Sequence, residues 1–274
     1  MELKEAKEFN KICITQTAST ICALLGIPSH EGAAPPIPEV LGKARETFGG
    51  LPCDRVFFYN PDAIAMWIYD KYRNYFAELE KRTALKLPEL SVVPPVTPVC
   101  FGSMYTGLKP REHGILKYEK PVLRVRTVFD DVVAAGKKAA IVSTAGDSIS
   151  KIFLERPVDY FIYPSKKECN EKAMELIVED RHNLIVLYNG DYDYQMHRHT
   201  PEGRRALRAL QENIETFNSI CGRIEECWDS HRCAATFAPD HGCHRTCLFL
   251  GSHGVEEPCD MNILHFYGFF RLRY

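Results

Sequence analysis

The sequence lacks the features that mark several large classes of protein. Its 274 residues carry a formal net charge of only −2, so electrostatics do not favour binding to a nucleic-acid polymer or to an anionic membrane. Its apolar runs are shorter than the roughly 20 residues that cross a bilayer. The N-terminus, MELKEAKEFNKICITQ, is charged and lacks the apolar centre of a signal peptide. We therefore expect a cytoplasmic protein with no membrane partner.

Paired cysteines are also lacking, although the chain has 11 cysteines. Their number is odd, they are scattered, and the chain is long enough to fold without disulfides, so reduced thiols are expected. Cys233, Cys243 and Cys247 lie near His244, which leaves a zinc knuckle as an alternative. The absence of a CxxC pair disfavours that alternative.

The apolar residues that are present predict an α/β fold. Short apolar runs predict strands at 55–59, 139–143, 159–163, 183–188, 234–238 and 262–267. Most of these runs are continuous, as in parallel strands that are buried on both faces. Helical patterns occupy roughly 63–86, 98–106, 126–135, 147–155, 168–180 and 201–227. The alternation predicts a three-layer α/β/α fold with a mostly parallel, doubly wound sheet.

The length fits one large α/β domain. We expect a single domain over residues 1–274, with residues 1–50 as a helical and loop segment packed on it. The Gly/Pro-rich stretch SHEGAAPPIPEV (29–40) is the candidate for a mobile or lid segment.

Acids and histidines follow the predicted strands in a set order. Asp62 comes three residues after the first strand, Asp193 comes five after the fourth, and Asp240 and His241 come just after the fifth. In parallel sheets, ligands gather at the carboxyl ends of strands. These side chains are therefore expected to meet at one edge of the sheet.

Two further histidines extend this pattern. His197 follows Asp193 by four residues, a spacing that places both on one helical face and that on a loop also lets one metal ion contact both. His253 lies in the glycine-flanked segment GSHG, where the backbone can come close to a site. Asp191 and His199 are nearby alternatives to Asp193 and His197.

Thr97 is the candidate nucleophile. It precedes Pro98 and a helical pattern, and threonine is a good N-cap while proline is favoured at the first helical position. An N-cap hydroxyl lies near free backbone N–H groups and the positive end of the helix dipole, which favours an alkoxide and a bound phosphate. Such a threonine alone usually only caps its helix, so the surrounding acids and histidines carry the interpretation.

The ligand types suggest two metal ions and phosphoryl transfer. Carboxylates and imidazoles without thiolate suit Zn²⁺ or Mn²⁺, with Mg²⁺ as a further alternative, and we favour zinc. Two ions roughly 3.5–4 Å apart can clamp the attacking and leaving oxygens of an in-line displacement. The predicted ligands form two sets: Asp62, Thr97, Asp240 and His241 in one, and Asp193, His197 and His253 in the other. We expect a small phosphorylated substrate.

These segments resemble the alkaline phosphatase superfamily, most closely its nucleotide pyrophosphatase/phosphodiesterase-like branch. TPVCFGSMYTGLKPREHGI (97–115) resembles that branch's nucleophile helix and the TG-x-x-P-x-x-HG turn that follows it. DYQMH (193–197) resembles the D-x-x-x-H metal element, and APDHG (238–242) resembles S-D-H-G. GSHG matches the late histidine, and Asp62 matches the first metal aspartate.

The resemblance implies a hydrolase with this fold, two metals and a covalent phosphothreonine at Thr97. The sequence departs from the family at Ala63, where glycine is usual, and at Cys100, where the branch usually carries an asparagine as oxyanion donor. ASTICALLGIP (18–28) resembles a helix that relatives carry near the C-terminus, which indicates a rearranged order.

The substrate pocket and the substrate are less sharply indicated. Cys100, Phe101 and His244 are the candidate pocket residues, and Tyr105, Tyr192 and Tyr194 could add an aromatic wall, with core packing as the alternative. Monoester, diester and phosphonate substrates stay open, as does the oligomeric state. A degenerate family member that binds a phosphorylated ligand or partner is the alternative to an enzyme, which retention of the whole ligand set disfavours.

Overall fold

The computed structural model describes residues 8–247 and 250–271, so the start of the charged N-terminus, residues 1–7, lies outside the described part. Ten strands are present in chain order. They are β1 (Ile12–Cys13), β2 (Arg55–Pro61), β3 (Leu85–Leu90), β4 (Ala139–Thr144), β5 (Asp159–Tyr163), β6 (Leu184–Asn189), β7 (Cys233–Phe237), β8 (His244–Arg245), β9 (Gly251–Ser252) and β10 (Asn262–Phe270).

Eight of these strands form one sheet in the order β1-β3-β10-β7-β2-β6-β4-β5, while β8 and β9 form a separate antiparallel hairpin. Strands β7, β2, β6, β4 and β5 are parallel to one another, and β1 is parallel to β3. Within the described residues of this sheet, β10 alone runs against both of its neighbours. The predicted mostly parallel sheet is confirmed.

Helices connect the strands. They are α1 (Thr17–Leu24), α2 (Pro38–Phe48), α3 (Met66–Lys71), α4 (Ala77–Arg82), α5 (Thr97–Thr106), α6 (Pro110–His113), α7 (Val128–Ala134), α8 (Ser148–Ile152), α9 (Lys166–Glu179), α10 (Asp191–His199), α11 (Arg204–Cys227) and α12 (Pro258–Met261), with 3₁₀ turns at Ile14–Gln16 and Arg73–Phe76. Among the described residues, none of these helices has the length and apolar character that a bilayer crossing needs.

The strands are buried on both faces, which gives the three layers. Val56 and Phe58 of β2 pack into an apolar cluster with α1, α2, α5, α7 and α8. Phe57 and Tyr59 of the same strand pack on the opposite face with α3, α4, α9, α10 and α11. Because successive side chains of a strand point to opposite faces, the continuous run RVFFY supplies both cores at once.

The predicted helix at 63–86 is wrong. This stretch contains α3, the turn at Arg73–Phe76 and α4, and its last two residues begin β3. Leu85–Leu90 pairs with β10, some 175 residues later, as Leu87 with His265 and Glu89 with Ile263. Such long-range pairing overrides a local helical pattern. The helices α6, α10 and α12 were not among the predicted ones, whereas α1 and α2 lie in the segment 1–50 that was predicted to be helix and loop.

The Gly/Pro-rich stretch 29–40 does not lie over the predicted site. His30 Nε2 lies 2.9 Å from the Thr106 carbonyl oxygen, and the Ala34 N–H donates to the Gly107 carbonyl at 2.9 Å. Both contacts hold the loop at the C-terminal end of α5, whereas Thr97 begins that helix. The proposed lid role is therefore corrected to an anchored loop, whose last residues belong to α2.

Helix α5 is fixed by the turn that follows it. A Cβ atom added at Gly102 would lie 2.7 Å from His113 Cε1, so the imidazole packs directly on the helix backbone. The same ring is bonded to Ser103, with 2.9 Å between Ser103 Oγ and His113 Nε2. The HG turn of the sequence motif thus holds the helix that carries the candidate nucleophile.

Gly102→Ala is expected to destabilise the protein by about 1–3 kcal/mol, because the new methyl group overpacks a rigid contact. Gly222→Ala is the matched control, since an added Cβ at this position in α11 meets no atom within 4 Å. Alanine should there stabilise the helix by up to about 1 kcal/mol. Urea unfolding measures both changes, and equal stability of the two variants would contradict the close packing of His113.

Candidate metal centre

Three neighbouring parallel strands, β7, β2 and β6, bring the predicted ligands to one edge of the sheet. Asp62 directly follows β2, and Asp240 and His241 follow β7 on the loop to β8. Asp193 lies on α10, which begins two residues after β6. The carboxyl ends of these strands face the same way, so the convergence follows from the topology.

The first group of side chains surrounds His241. Its Nε2 lies 3.4 Å from Asp62 Oδ1 and 3.5 Å from Asp240 Oδ2. Thr97 Oγ1 lies 3.4 Å from Asp62 Oδ2 and 3.4 Å from His241 Nε2. All four residues are buried. Facing ligand atoms of Asp62, Asp240 and His241 fall within 4.8 Å of one another.

The second group surrounds Asp193. Its Oδ1 lies 3.2 Å from His197 Nε2 and 3.3 Å from His253 Nε2. The two groups adjoin, because the rings of His241 and His253 stack with 4.1 Å between centroids. Each group has the membership that was predicted for one metal ion. The structure thus brings all seven side chains together, and their roles remain proposals.

Thr97 is the first residue of α5, and Val96 is the N-cap, so the predicted N-cap was one residue too late. Within the described residues, no side chain caps this helix end. The Thr97 hydroxyl instead faces Asp62 and His241. A threonine that only capped its helix would accept a hydrogen bond from a backbone N–H of the first helical turn. The Thr97 hydroxyl faces side chains instead, so it differs from an ordinary capping threonine.

The three histidines share one hydrogen-bonding arrangement. The Nδ1 atom of each lies beside a backbone carbonyl oxygen: His241 to Gly242 at 2.9 Å, His253 to Pro95 at 3.0 Å and His197 to Gly251 at 3.1 Å. A carbonyl oxygen can only accept, so Nδ1 carries the proton and Nε2 faces the carboxylates. Metal-binding histidines are commonly fixed in this way.

Three carboxylate oxygens complete the picture. Asp62 Oδ1, Asp193 Oδ1 and Asp240 Oδ2 are buried without a hydrogen-bond partner among the described residues. They are the same atoms that face the histidine Nε2 atoms. The other oxygen of Asp62 accepts from the Tyr188 hydroxyl, and that of Asp240 accepts from the Ala63 N–H at 3.4 Å. A divalent cation would satisfy these open oxygens and the imidazole nitrogens together, so the residues fit a metal centre.

Burial and neighbouring side chains shift the pKa values of these groups in different directions. Burial, and then the neighbouring Asp193, raises the pKa of Asp62, and burial and Asp62 raise the pKa of Asp240. Burial alone would raise the pKa of Asp193, but its contacts with His197 and His253 outweigh burial and lower it. The contact with Asp193 raises the pKa of His197. A proton on Nε2 and a metal ion are thus alternatives at one position.

Ala63 explains a departure from the family pattern. Its φ of +61° lies in the left-handed region, which costs a non-glycine residue roughly 1–2 kcal/mol. This conformation directs its N–H towards Asp240 Oδ1. Glycine, which the resemblance expects after the first aspartate, adopts this conformation without strain.

The pocket prediction needs correction at Cys100 and Phe101. Both side chains are 0% exposed, so neither can contact a substrate in this structure. The Cys100 thiol contacts Ser91, and the Phe101 ring packs edge-on against Tyr188 at 5.3 Å. Both residues therefore contact neighbours of the predicted metal ligands and not the open side of the site.

His244 lies in a different group. Its Nδ1 lies 2.9 Å from Asp260 Oδ1, and the two lie close to Cys259. The buried Cys233 and Cys243 are not part of this group. Among the described residues, Cys233, Cys243 and Cys247 thus form no zinc knuckle with His244, whose ring contacts Asp260 instead.

The remaining candidates also separate clearly. Asp191 pairs with Lys166 at 2.7 Å, and His199 lies 3.1 Å from Arg205 Nη1, so neither joins the two groups. Tyr105 and Tyr192 are fully buried in the core, whereas Tyr194, next to Asp193 in the sequence, is 51% exposed.

Sequence reasoning missed Tyr188, the donor to Asp62. It lies in the continuous apolar run NLIVLY, where the pattern predicts that a tyrosine packs in the core.

Comparison of the sequence with protein-family models and with curated proteins gives no match. Solved structures do match. Human ectonucleotide pyrophosphatase/phosphodiesterase 5 aligns with a TM-score of 0.56 and 17% identity over 70% of this chain and 57% of that chain. The murine counterpart, solved as an inactive threonine-to-alanine variant in complex with AMP, aligns with a TM-score of 0.53 and 15% identity over 70% and 58%.

A third neighbour is phosphonoacetate hydrolase from Sinorhizobium meliloti 1021 in complex with phosphonoformate. It aligns with a TM-score of 0.50 and 19% identity, over 71% of this chain and 58% of that chain. This chain thus spans less than two thirds of each of the three neighbours. At these identities the likeness shows a shared fold and nothing further.

His197→Ala is expected to reduce metal binding from two ions per chain to one, because it removes a ligand of the Asp193 group. His199→Ala is the matched control on the same helix and should retain both ions, since its ring contacts Arg205. Metal content after dialysis against Zn²⁺, measured by mass spectrometry, tests both. Equal loss in the two variants would contradict the grouping, and loss in His199→Ala alone would favour the alternative ligand.

Proposed function

We propose that this chain, which has the fold of the alkaline phosphatase superfamily, is a metal-dependent hydrolase of phosphate esters that acts through Thr97. One observation carries the proposal. Three open carboxylate oxygens face three histidine Nε2 atoms directly beside the Thr97 hydroxyl. Structural packing alone gives no reason to bury such a set, because each open oxygen costs free energy.

The proposed ligands are divided between two ions, with zinc favoured and manganese or magnesium as alternatives. Asp62, Asp240 and His241 would hold the first, with the Thr97 oxygen beside it, and Asp193, His197 and His253 would hold the second. When bound, such ions lower the pKa of a hydroxyl and stabilise charge on the attacking and leaving oxygens.

Thr97 Oγ1 is the proposed nucleophile. Its oxygen lies 3.4 Å from Asp62 Oδ2, to which the hydroxyl can donate, and 3.4 Å from His241 Nε2. The hydroxyl would release its proton to water as its oxygen attacks phosphorus in line, the bond to the leaving group would break, and the leaving oxygen would take up a proton from water. Water would then cleave the phosphothreonine ester, releasing phosphate or phosphate monoester and restoring the hydroxyl.

The structural neighbours support a small phosphorylated substrate. The inactive murine variant binds AMP, and phosphonoacetate hydrolase was solved with phosphonoformate. For this chain, monoester, diester and phosphonate remain candidates. With Cys100 buried, the oxyanion donor that the diesterase branch places there is missing from this position. The alternative is a degenerate member that binds a phosphorylated ligand or partner without turnover.

Thr97→Ala is expected to lower turnover by at least about a thousandfold, because it removes the nucleophile. The metals of the Asp193 group and the fold should be retained. Thr97→Ser is the matched control and should keep measurable activity, since it retains the hydroxyl. Hydrolysis of p-nitrophenyl phosphate and of bis-p-nitrophenyl phosphate with Zn²⁺ or Mn²⁺ measures the effect. Full activity of Thr97→Ala would show that the mechanism is wrong.

The same assay separates enzyme from binder. A metal-loaded wild-type protein that hydrolyses neither ester nor a phosphonate, yet is stabilised against heat by AMP or phosphate, would favour the binding role.

A further inference from the structure

Ser91 lies where two parts of the candidate centre meet. It follows β3, is 1% exposed, and its Oγ lies 2.7 Å from the Asp240 carbonyl oxygen and 3.1 Å from Cys100 Sγ. The carbonyl can only accept, so Ser91 donates its single proton to Asp240. The Cys100 S–H must then be the donor to Ser91 Oγ.

The Cys100 thiol is suited to act as the donor to Ser91. Burial raises its pKa well above the ordinary value, so the group stays an S–H donor at neutral pH. It lies three residues after Thr97 on α5, about one helical turn away. The hydrogen bonds therefore run from the helix of Thr97, through Cys100 and Ser91, to the backbone of Asp240.

The segment before His241 is held at three successive carbonyl groups. Asn60 Nδ2 donates to Ala238 at 2.7 Å, His265 Nε2 contacts Pro239 at 2.8 Å, and Ser91 donates to Asp240. Asn60 and His265 come from β2 and β10. Asn60 also accepts from the Tyr105 hydroxyl of α5, so two side chains connect this helix to the segment: Asn60 at its C-terminal end and Ser91 near Thr97.

We propose that Ser91 is a positioning residue which, shared between the Cys100 thiol and the Asp240 carbonyl, sets the Thr97 helix at a fixed distance from Asp240 and His241. The effect of Ser91 on turnover rests on the proposed function. Its effect on the backbone of residues 238–241 does not. The proposal also accounts for a cysteine where the family has an asparagine. In this chain the side chain at position 100 donates to Ser91, which binds the backbone of the proposed ligand Asp240. A small buried donor suits that contact.

Ser91→Ala tests the proposal, with Ser103→Ala as the matched control. Ser103 is equally buried and lies on α5 with Cys100, but it bonds to His113 and not to the 238–241 segment. In metal-free protein, Ser91→Ala should speed amide hydrogen exchange in peptides that cover 238–242, and Ser103→Ala should not. In metal-loaded protein, Ser91→Ala should weaken Zn²⁺ binding at the Asp62 group by on the order of tenfold and lower kcat more than it changes KM.

Cys100 provides a second test if Ser91→Ala folds poorly. Cys100→Ala breaks only the upstream bond and should show the same changes at smaller size, while Cys100→Ser restores a donor and should recover much of the wild-type behaviour. The proposal is overturned if Ser91→Ala, or Cys100→Ala in its place, matches Ser103→Ala in both exchange and zinc affinity. Faster exchange at 238–242 in a protein that binds no metal would support the link and reject the proposed function.

Discussion

Three aspartates, each with one buried oxygen that faces a histidine ring, are the constraint on which the candidate site depends. Burial, and then repulsion from a neighbouring aspartate, raises the pKa of Asp62 and of Asp240, so positive charge placed beside them would stabilise both carboxylates as anions. The surrounding contacts hold this costly arrangement in place. Backbone carbonyls fix the histidine rings, and Tyr188 and Ala63 each occupy the second oxygen of an aspartate. The remaining oxygens are left open towards one centre.

The topology of the parallel sheet produces this crowding of side chains. Strands β7, β2 and β6 are adjacent, and their ends deliver acids to one place without any long loop. The cores on the two faces of the sheet hold those strands rigidly. The proposed nucleophile, Thr97, lies on a helix that is packed against His113 on one side and connected through Cys100 on the other. Thr97 lies on α5, Asp193 and His197 lie on α10, and Asp62 directly follows β2, so helices and strand ends position much of the site.

Much of this was predictable from the sequence, for a physical reason. Continuous apolar runs such as RVFFY are what doubly buried strands need, and a rule about strand ends then places Asp62 and Asp240 together. Pairings between distant segments were not predictable, so β3 was not predicted and its first two residues were assigned to a helix. The left-handed backbone at Ala63 and the donor role of Tyr188 are set by tertiary contacts that no local pattern records. Cys100 read as a pocket residue because only its position along the helix was visible, not the side to which it turns.

The two groups differ in how far they are withdrawn from water. The side chains of Asp62, Asp240 and His241 are 2%, 0% and 0% exposed, whereas those of His197 and Asp193 are 40% and 20% exposed. Solvent therefore enters the centre from the α10 side. On the proposed assignment, one ion would be sealed into the protein for long periods and the other would equilibrate with the medium. The dependence of the protein on metal supply would then be set by the outer ion alone.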